Sequence, residues 1–405
     1  MFIVILISVL GLIHVYLWKR LVHDTTRPGP TRLVLTAVVI ALAAILFAAL
    51  ILPGVIGMRE SGWYAWPGYV WLGLAAYLFL TLLVLEPVRL ALRGWVWRAP
   101  SAIAPTSTEN VTTEVPSEEE RAGGPALSRR LFLARTGGAA AGIASVSLVA
   151  VGAANALGPP EMLHVPVRLR RLDPAFNGFR IAVVSDIHLG PLAGRAHTER
   201  IVRMINETAP DLVAVVGDLV DGSVEELGSA AEPLRDLVSK EGTFFVTGNH
   251  EYFVEDPASW LRELERLGVQ SLRNESTAIR RGTAAFDLAG VNDVAGAEKS
   301  DPPDFDRALR GRNSSRPTIL LAHQPVLVAE AAARRVDLQV SGHTHGGQAW
   351  PFHYFVRLTQ PSLAGLSVVG DTQLYVTRGA GFWGPPVRIG APPDITILSL
   401  RIEAG

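Results

Sequence analysis

Apolar residues fall into two regimes along this chain: long unbroken runs in the first third, and short runs spaced by polar segments in the rest. Residues 2–18 are apolar except for Ser8 and His14, residues 33–52 are apolar except for Thr36, and residues 66–85 form a third run. Wound as a helix, a run of about 20 residues spans about 30 Å, the thickness of a bilayer core. Trp63, Tyr64, Trp66, Tyr69 and Trp71 gather at one end of the third run, as aromatic residues do at a membrane interface. His14 interrupts the first run, and a polar residue facing the other helices accounts for it better than a transport path.

From Gly178 onward the pattern changes to strand-like runs alternating with amphipathic ones. It predicts strands at 180–185, 212–216, 243–247, 283–291, 318–322 and 338–340, and helices at 197–208, 225–239, 257–267 and 326–335. The tail, 373–402, reads as strands between Gly and Pro turns that close a sheet edge. Continuous β-branched runs between helices point to sheets covered by helices, an α/β domain.

The chemistry-bearing residues sit directly after those strands. In chain order they are Asp186-Ile187-His188, Gly217-Asp218-Leu219-Val220-Asp221, Gly248-Asn249-His250-Glu251, His323-Gln324-Pro325 and Ser341-Gly342-His343-Thr344-His345-Gly346-Gly347-Gln348. Strand ends are where an α/β scaffold carries its site. Any one of these loops is compatible with ordinary turn chemistry, because Asp, Asn, Gly and His all favour turns. Five in succession supply mixed oxygen and nitrogen donors, enough for two divalent cations if one carboxylate bridges them.

The ordered set Asp-x-His, Gly-Asp-x-x-Asp, Gly-Asn-His-Glu, His and Gly-His-x-His resembles the calcineurin-like metallophosphoesterase family over about residues 178–402. Asn206, Pro210-Asp211, Gly346-Gly347-Gln348 and Gly384-Pro385-Pro386-Val387-Arg388 resemble its membrane-associated bacterial branch, which includes twin-arginine-exported wall-associated enzymes and relatives acting on UDP-diacylglucosamine. The resemblance implies a four-layer α-β-β-α sandwich of two mixed sheets. It implies one metal on Asp186, His188 and His345, a second on Asn249, His323 and His343, and Asp218 as the bridge. Two cations about 3.5–4 Å apart lower the pKa of a shared water and clamp a phosphoryl group for in-line attack. His250 is implied as the catalytic group that protonates the leaving oxygen or stabilises the transition state, and Glu251, where many members have Asp, leaves the ligand set unchanged. Asp221 reads as a supporting partner rather than a ligand. Arg378 and Arg388 are candidates for binding substrate phosphate, with a structural role as the alternative. Tyr252, Phe253, Phe382 and Trp383 either rim a cleft or pack in the core; His164, His197 and His353 lie outside the motifs and read as structural or surface residues.

Composition narrows the picture in three ways. Cysteine is absent, so disulfides, thiolate ligands and a cysteine nucleophile are excluded, and Mn, Fe, Zn or Co all suit the remaining donors. Residues 1–156 carry 12 basic and 8 acidic side chains, and residues 157–405 carry 25 and 30, a mildly acidic balance that speaks against nucleic acid as a partner. Lys19, Arg20, Arg27 and Arg32 lie between the first two runs, only Arg59 between the second and third, and Arg89, Arg93 and Arg98 follow the third; the positive-inside rule then puts the N-terminus outside.

Ser128-Arg129-Arg130-Leu131-Phe132-Leu133 followed by the soft segment 136–157 resembles a twin-arginine export signal placed internally, with Ala134 where lysine is usual, or else a fourth membrane span. Ala154-Asn155-Ala156 offers a site for signal peptidase. The expected organisation is a three-helix membrane anchor (1–98), a disordered cytoplasmic linker (99–127), the signal or fourth span (128–157) and a metallophosphoesterase domain (158–405) on the extracytoplasmic side of the cytoplasmic membrane. The expected partners are that membrane, the twin-arginine export machinery and a phosphoester substrate, lipid-linked or wall-derived. The expected function is a binuclear phosphodiesterase or pyrophosphatase on envelope-related or extracellular phosphoesters. Two alternatives stand beside it: a catalytically silent metal-binding or interaction domain, and a cytoplasm-facing enzyme on UDP-sugar lipid precursors.

Overall fold

The computed structural model describes residues 2–58, 61–92, 94 and 125–403, which divide into two compact units. Most of the expected linker, through residue 124, lies outside the described residues, and its last three residues already belong to a helix.

The first unit comprises residues 1–50 and 67–150. It is built from α1 (Phe2–Leu17), which runs on through a π-helical turn to His23, and most of α2 (Pro30–Ile51), α3 (Gly62–Ala91) and α4 (Pro125–Leu157), the first turn of α3 and the last turns of α4 belonging to the second unit. Each of the four carries a stretch long and apolar enough to cross a membrane. Leu17, Ala75, Leu78, Leu82 and Ala141 form the shared apolar seam. Gly68 lets α2 and α3 touch, since a Cβ there would lie 2.5 Å from that of Ala49. His14 is buried, with Nε2 accepting from Trp71 Nε1–H at 2.9 Å and Nδ1 2.7 Å from the Leu10 carbonyl, a packed polar contact within the unit.

The second unit comprises residues 51–66 and 151–405 and contains two six-stranded mixed sheets among the described residues. One sheet is ordered β1 (Glu161–Leu169), β12 (Asp394–Ile402), β2 (Arg180–Val184), β3 (Leu212–Val216), β4 (Thr243–Val246), β5 (Val269–Ser271). The other runs β10 (Gly365–Val369), β11 (Thr372–Val376), β9 (Leu338–Ser341), β8 (Thr318–Leu321), β7 (Ala284–Gly290), β6 (Glu275–Arg281). Their facing sides enclose one core, where Phe176 and Phe179 stack edge-on against Phe286 with ring centroids 5.0 and 5.4 Å away. The outer face of the first sheet is covered by α5 (Arg195–Glu207), α6 (Val224–Ala231) and α7 (Pro257–Arg266), through Ile201, Ile205, Leu227, Trp260 and Leu264. The other sheet is covered through Phe305, Ala308 and α8 (Val328–Ala333). The result is the four-layer sandwich that the sequence implied.

Three local expectations are corrected. The helix expected over 225–239 stops at Ala231 and gives way to a 3₁₀ turn, Glu232–Asp236, because Pro233 has no N–H to continue the ladder. β12 does not close an edge; it inserts between β1 and β2, parallel to the first and antiparallel to the second. β1 was not foreseen, since Pro166 sits in its middle, but an edge strand tolerates proline because one side of its backbone needs no partner.

His197 on α5 is half-buried, with Nε2 shut off from solvent and lacking a hydrogen-bond partner, and desolvation lowers it to about 4. The folded state therefore resists a proton that the unfolded chain takes up near pH 6.5, so stability is full above that pH and falls as pH drops towards 4. Between pH 7 and 5 this group should cost about 2 kcal/mol. The urea midpoint of the wild type should fall relative to that of His197→Leu as pH drops from 7 to 5; parallel pH profiles would contradict this.

Candidate metal centre

The five sequence motifs meet at the C-terminal ends of β2, β3, β4, β8 and β9. Three of the motifs turn sharply as their strands end: Asp186, His188, Asp218, His343 and His345 all have φ between 49 and 71°. That left-handed region costs a side-chain-bearing residue free energy, and such strain accumulates where function over-determines the backbone. Close approach is bought with glycine at two positions. A Cβ on Gly248 would lie 2.2 Å from Asp218 Oδ1, and one on Gly342 would lie 2.4 Å from Asp186 Oδ2.

The donors form two groups. Asp186, His188 and His345 make one, with His345 Nε2 3.2 Å from Asp186 Oδ1 and 3.0 Å from His188 Nε2. Asp218, His323 and His343 make the other, with His323 Nε2 3.1 Å from Asp218 Oδ2. Asn249 joins the second group through its Oδ1, 2.9 Å from His343 Nδ1. Asp218 Oδ2 also lies 3.9 Å from His188 Nε2, so it faces both groups.

Ring contacts decide which nitrogens are free. His323 Nδ1–H donates to the Val216 carbonyl at 2.8 Å, which turns Nε2 into the site, buried and without a well-formed hydrogen bond, where it offers a lone pair once its proton leaves. His188 Nδ1 is held at 2.9 Å by Asp221 Oδ1, which likewise leaves Nε2 inward. These inward lone pairs, with two buried carboxylates, fit divalent cations. His345 is the exception. Its Nδ1 faces Arg388 Nη2 at 3.1 Å, so in this arrangement Nε2 carries the ring proton, which must leave for that nitrogen to bind a cation.

The charges are tightly linked. Burial raises Asp186, and the neighbouring Asp218 adds to that. Burial opposes ionisation of Asp218 too, but His323 and His250 outweigh it and hold the carboxyl well below its usual range. Burial keeps His343 neutral, at about 3, reinforced by His323. His250 behaves oppositely: burial works against its cation, but Asp218 and the 2.7 Å contact of Nδ1 with Asp221 raise it to about 9. His250 Nε2 points inward, 4.0 Å from Asp218 Oδ2.

The sequence reading undervalued Glu251. Buried at the start of the short helix Asn249–Phe253, its carboxylate accepts from Gly248 N–H (2.6 Å), Asp218 N–H (3.0 Å) and Leu219 N–H (2.8 Å) and so ties two motifs together. Its signal was present as a Glu three residues after a helix-capping Gly. Of the two roles open for Arg378 and Arg388, their contacts favour the structural one. Arg388 is fully buried, and its guanidinium donates to the carbonyls of His345 (2.7 Å), Arg378 (2.9 Å) and Gly381 (3.0 Å). Arg378 is paired with Asp394 and Glu161, both at 2.8 Å. The four aromatics separate. Tyr252 and Phe382 are buried, whereas Phe253 and Trp383 are exposed beside the His250 ring, with centroids 5.0 and 6.0 Å away.

The last turn of α4 also reaches this region. The Gly152 carbonyl accepts from Arg388 N–H at 2.9 Å, and Asn155 Nδ2–H donates to the Arg388 carbonyl at 3.2 Å.

Comparison with known proteins places this geometry. The family model for calcineurin-like phosphoesterases matches residues 179–347. A "Transmembrane protein with metallophosphoesterase domain" of Danio rerio is 39% identical over 64% of this chain and 61% of its own length. An uncharacterized metallophosphoesterase of Campylobacter jejuni is 36% identical over 64% of this chain and 68% of its own. One of Aquifex aeolicus is 33% identical over 56% of this chain and 87% of its own. The chain thus spans about three fifths of the length of the first of these relatives.

Glu251→Ala would leave three buried N–H groups without acceptors. It should cost about 3 kcal/mol or more in unfolding free energy and lower divalent-ion retention, measured on the purified chain by denaturant titration and elemental analysis. Unchanged stability would show that Glu251 does not organise these loops.

Proposed function

The chain belongs to the calcineurin-like phosphoesterase family, and from that premise we propose that it is a membrane-tethered binuclear-metal phosphoesterase acting on envelope-related or extracellular phosphoesters. The observation that carries this reading is the position of Asp218, whose Oδ2 faces His323 Nε2 at 3.1 Å and His188 Nε2 at 3.9 Å. One carboxylate between two donor groups suits a pair of cations sharing a ligand. Bound there, divalent cations supply an ionised water at neutral pH and neutralise charge on the phosphoryl oxygens.

The residues of the chain supply the rest. Asp186, His188 and His345 would hold one cation, and Asn249, His323 and His343 the other. Asp221 fixes the Nδ1 atoms of both His188 and His250. With Nδ1 so held, His250 keeps a proton on Nε2, aimed into the site, to give to the leaving oxygen of a phosphodiester or pyrophosphate. Exposed Phe253 and Trp383 beside it leave room for an apolar leaving group.

Two observations support a membrane-held domain on the extracytoplasmic side. The segment between α2 and α3, together with the first turn of α3 (residues 51–66), belongs to the same compact unit as the phosphoesterase sheets, and Met58 N–H donates to Glu226 Oε1 at 2.5 Å. That segment carries one of the few basic residues expected outside by the loop-charge rule, and an even number of crossings separates it from residue 158. Ala156 is buried and helical, which favours α4 as a retained span over a cleaved export signal. Twin-arginine export of the folded domain stays compatible with Arg129-Arg130 at the head of α4.

The test uses the full chain in lipid nanodiscs. About two divalent ions per chain and turnover of an aryl phosphodiester are expected. Asp218→Asn should abolish both, and His250→Ala should retain the ions but lose about 10²–10⁴-fold in rate. Bound ions without turnover of any phosphoester would favour a binding domain, and fewer than two ions would refute the ligand assignment. A C-terminal reporter that is active only outside the cytoplasm checks the orientation.

A further inference from the structure

Residues 350–358, Trp-Pro-Phe-His-Tyr-Phe-Val-Arg-Leu, follow directly on the Gly346-Gly347-Gln348 end of the metal loop. Their helical turn, His353–Val356, packs so tightly on that loop that a Cβ on Gly347 would lie 2.4 Å from the His353 Cβ. The apolar side chains of this rigidly seated segment nevertheless point to solvent: Phe352, Tyr354 and Phe355 are exposed, and Leu358 is 82% exposed. The apolar surface extends towards the site, because Gln348 pins the exposed Trp383 by accepting from its N–H at 3.0 Å and donating to its carbonyl at 2.7 Å. Large apolar side chains crowded around one loop mark an interaction surface.

Two features say what covers it. The first is continuity with the membrane-length helix α4. Trp350 N–H donates to the Ile389 carbonyl at 2.9 Å, and Ile389 is also a side chain against which Gly152 packs, with a Cβ there 2.8 Å from its Cγ1. The aromatic segment is thus one backbone pairing away from the turn by which the chain leaves its last apolar helix. The second is charge. No Asp or Glu occurs from residue 344 to residue 370, while Arg357 lies exposed within the aromatic turn. Aromatic and basic side chains without carboxylates suit an anionic bilayer interface, where rings settle at headgroup level.

We propose that residues 350–358 dock into an anionic lipid bilayer and hold the metal centre at headgroup level, so that phosphoesters presented by a lipid are taken in preference to dissolved ones. The docking surface stands on its own observations; only the substrate preference rests on the phosphoesterase reading.

The chain has no cysteine, so a single one can carry a nitroxide without further change. The full chain bearing Leu358→Cys or, in parallel, Phe355→Cys is reconstituted in phosphatidylethanolamine–phosphatidylglycerol vesicles, beside Ser314→Cys at the far end of β8 from the ligands. Both aromatic-turn labels should collide with oxygen more than with a water-soluble nickel chelate, at a depth of about 5–10 Å, while the Ser314 label reads aqueous. Nickel accessibility equal to that of Ser314 would overturn the proposal, as would shielding from both reagents, which would mean that protein covers the turn. Arg357→Glu should lower the ratio of lipid-borne to dissolved phosphodiester turnover about tenfold; an unchanged ratio would overturn the preference. Inserted labels with no turnover of either substrate would sink the phosphoesterase reading and leave the docking surface standing.

Discussion

Two buried carboxylates, Asp186 and Asp218, each lie 3.9 Å from the same nitrogen of the buried His188. Burying one charge is costly and burying two of like sign nearby is worse, unless positive charge compensates them. The surrounding arrangement follows from that constraint. Backbone N–H groups of His343 and His250 point at the two carboxylates, at 3.0 and 2.9 Å, and imidazoles line the remaining directions. Without cations, protons on His323 and His250 do the neutralising. With cations, those at His323 Nε2 must leave, so ion binding and protonation compete for the same lone pairs.

The cost extends into the backbone. Five donor residues sit at positive φ, and their neighbours Gly248 and Gly342 leave no room for a side chain. A sheet whose strands are this well buried can hold such turns because strand ends are fixed from behind by the core: β2, β3, β4, β8 and β9 have every residue buried or nearly so. The price of the strained loops is met by the regularity of the sandwich beneath them. Glu251 then acts as a clamp, since three backbone groups from two different loops converge on one carboxylate.

Much of this was legible because strands and ligands were adjacent in sequence. A short β-branched run announces a buried strand, and Asp or His just after it announces what the strand end carries, so the order of the motifs encoded the placement of the donors. What the sequence hid were relations between distant segments. Nothing local marks Arg388 as the residue that will fill itself with carbonyls of Arg378, Gly381 and His345, because a buried arginine and a phosphate-binding one read alike. The pairing of β1 with β12 joins residues more than two hundred positions apart, and Pro166 masked the strand further. The early stop of α6 was visible in Pro233 and was outweighed by the amphipathic pattern running past it.

Arg388 joins two segments of the second unit that lie far apart in sequence. Its guanidinium holds the His345 loop, while its backbone N–H and carbonyl are held by Gly152 and Asn155 of α4. The tether is therefore also a buttress. A chain trimmed to begin after Leu157 would lose both of those bonds and expose the Val387 and Ile389 side chains that Gly152 covers. Such a soluble fragment would be a loosened version of the domain, not simply a detached one, and a weak result obtained with it would say more about the missing helix than about the chemistry of the intact protein.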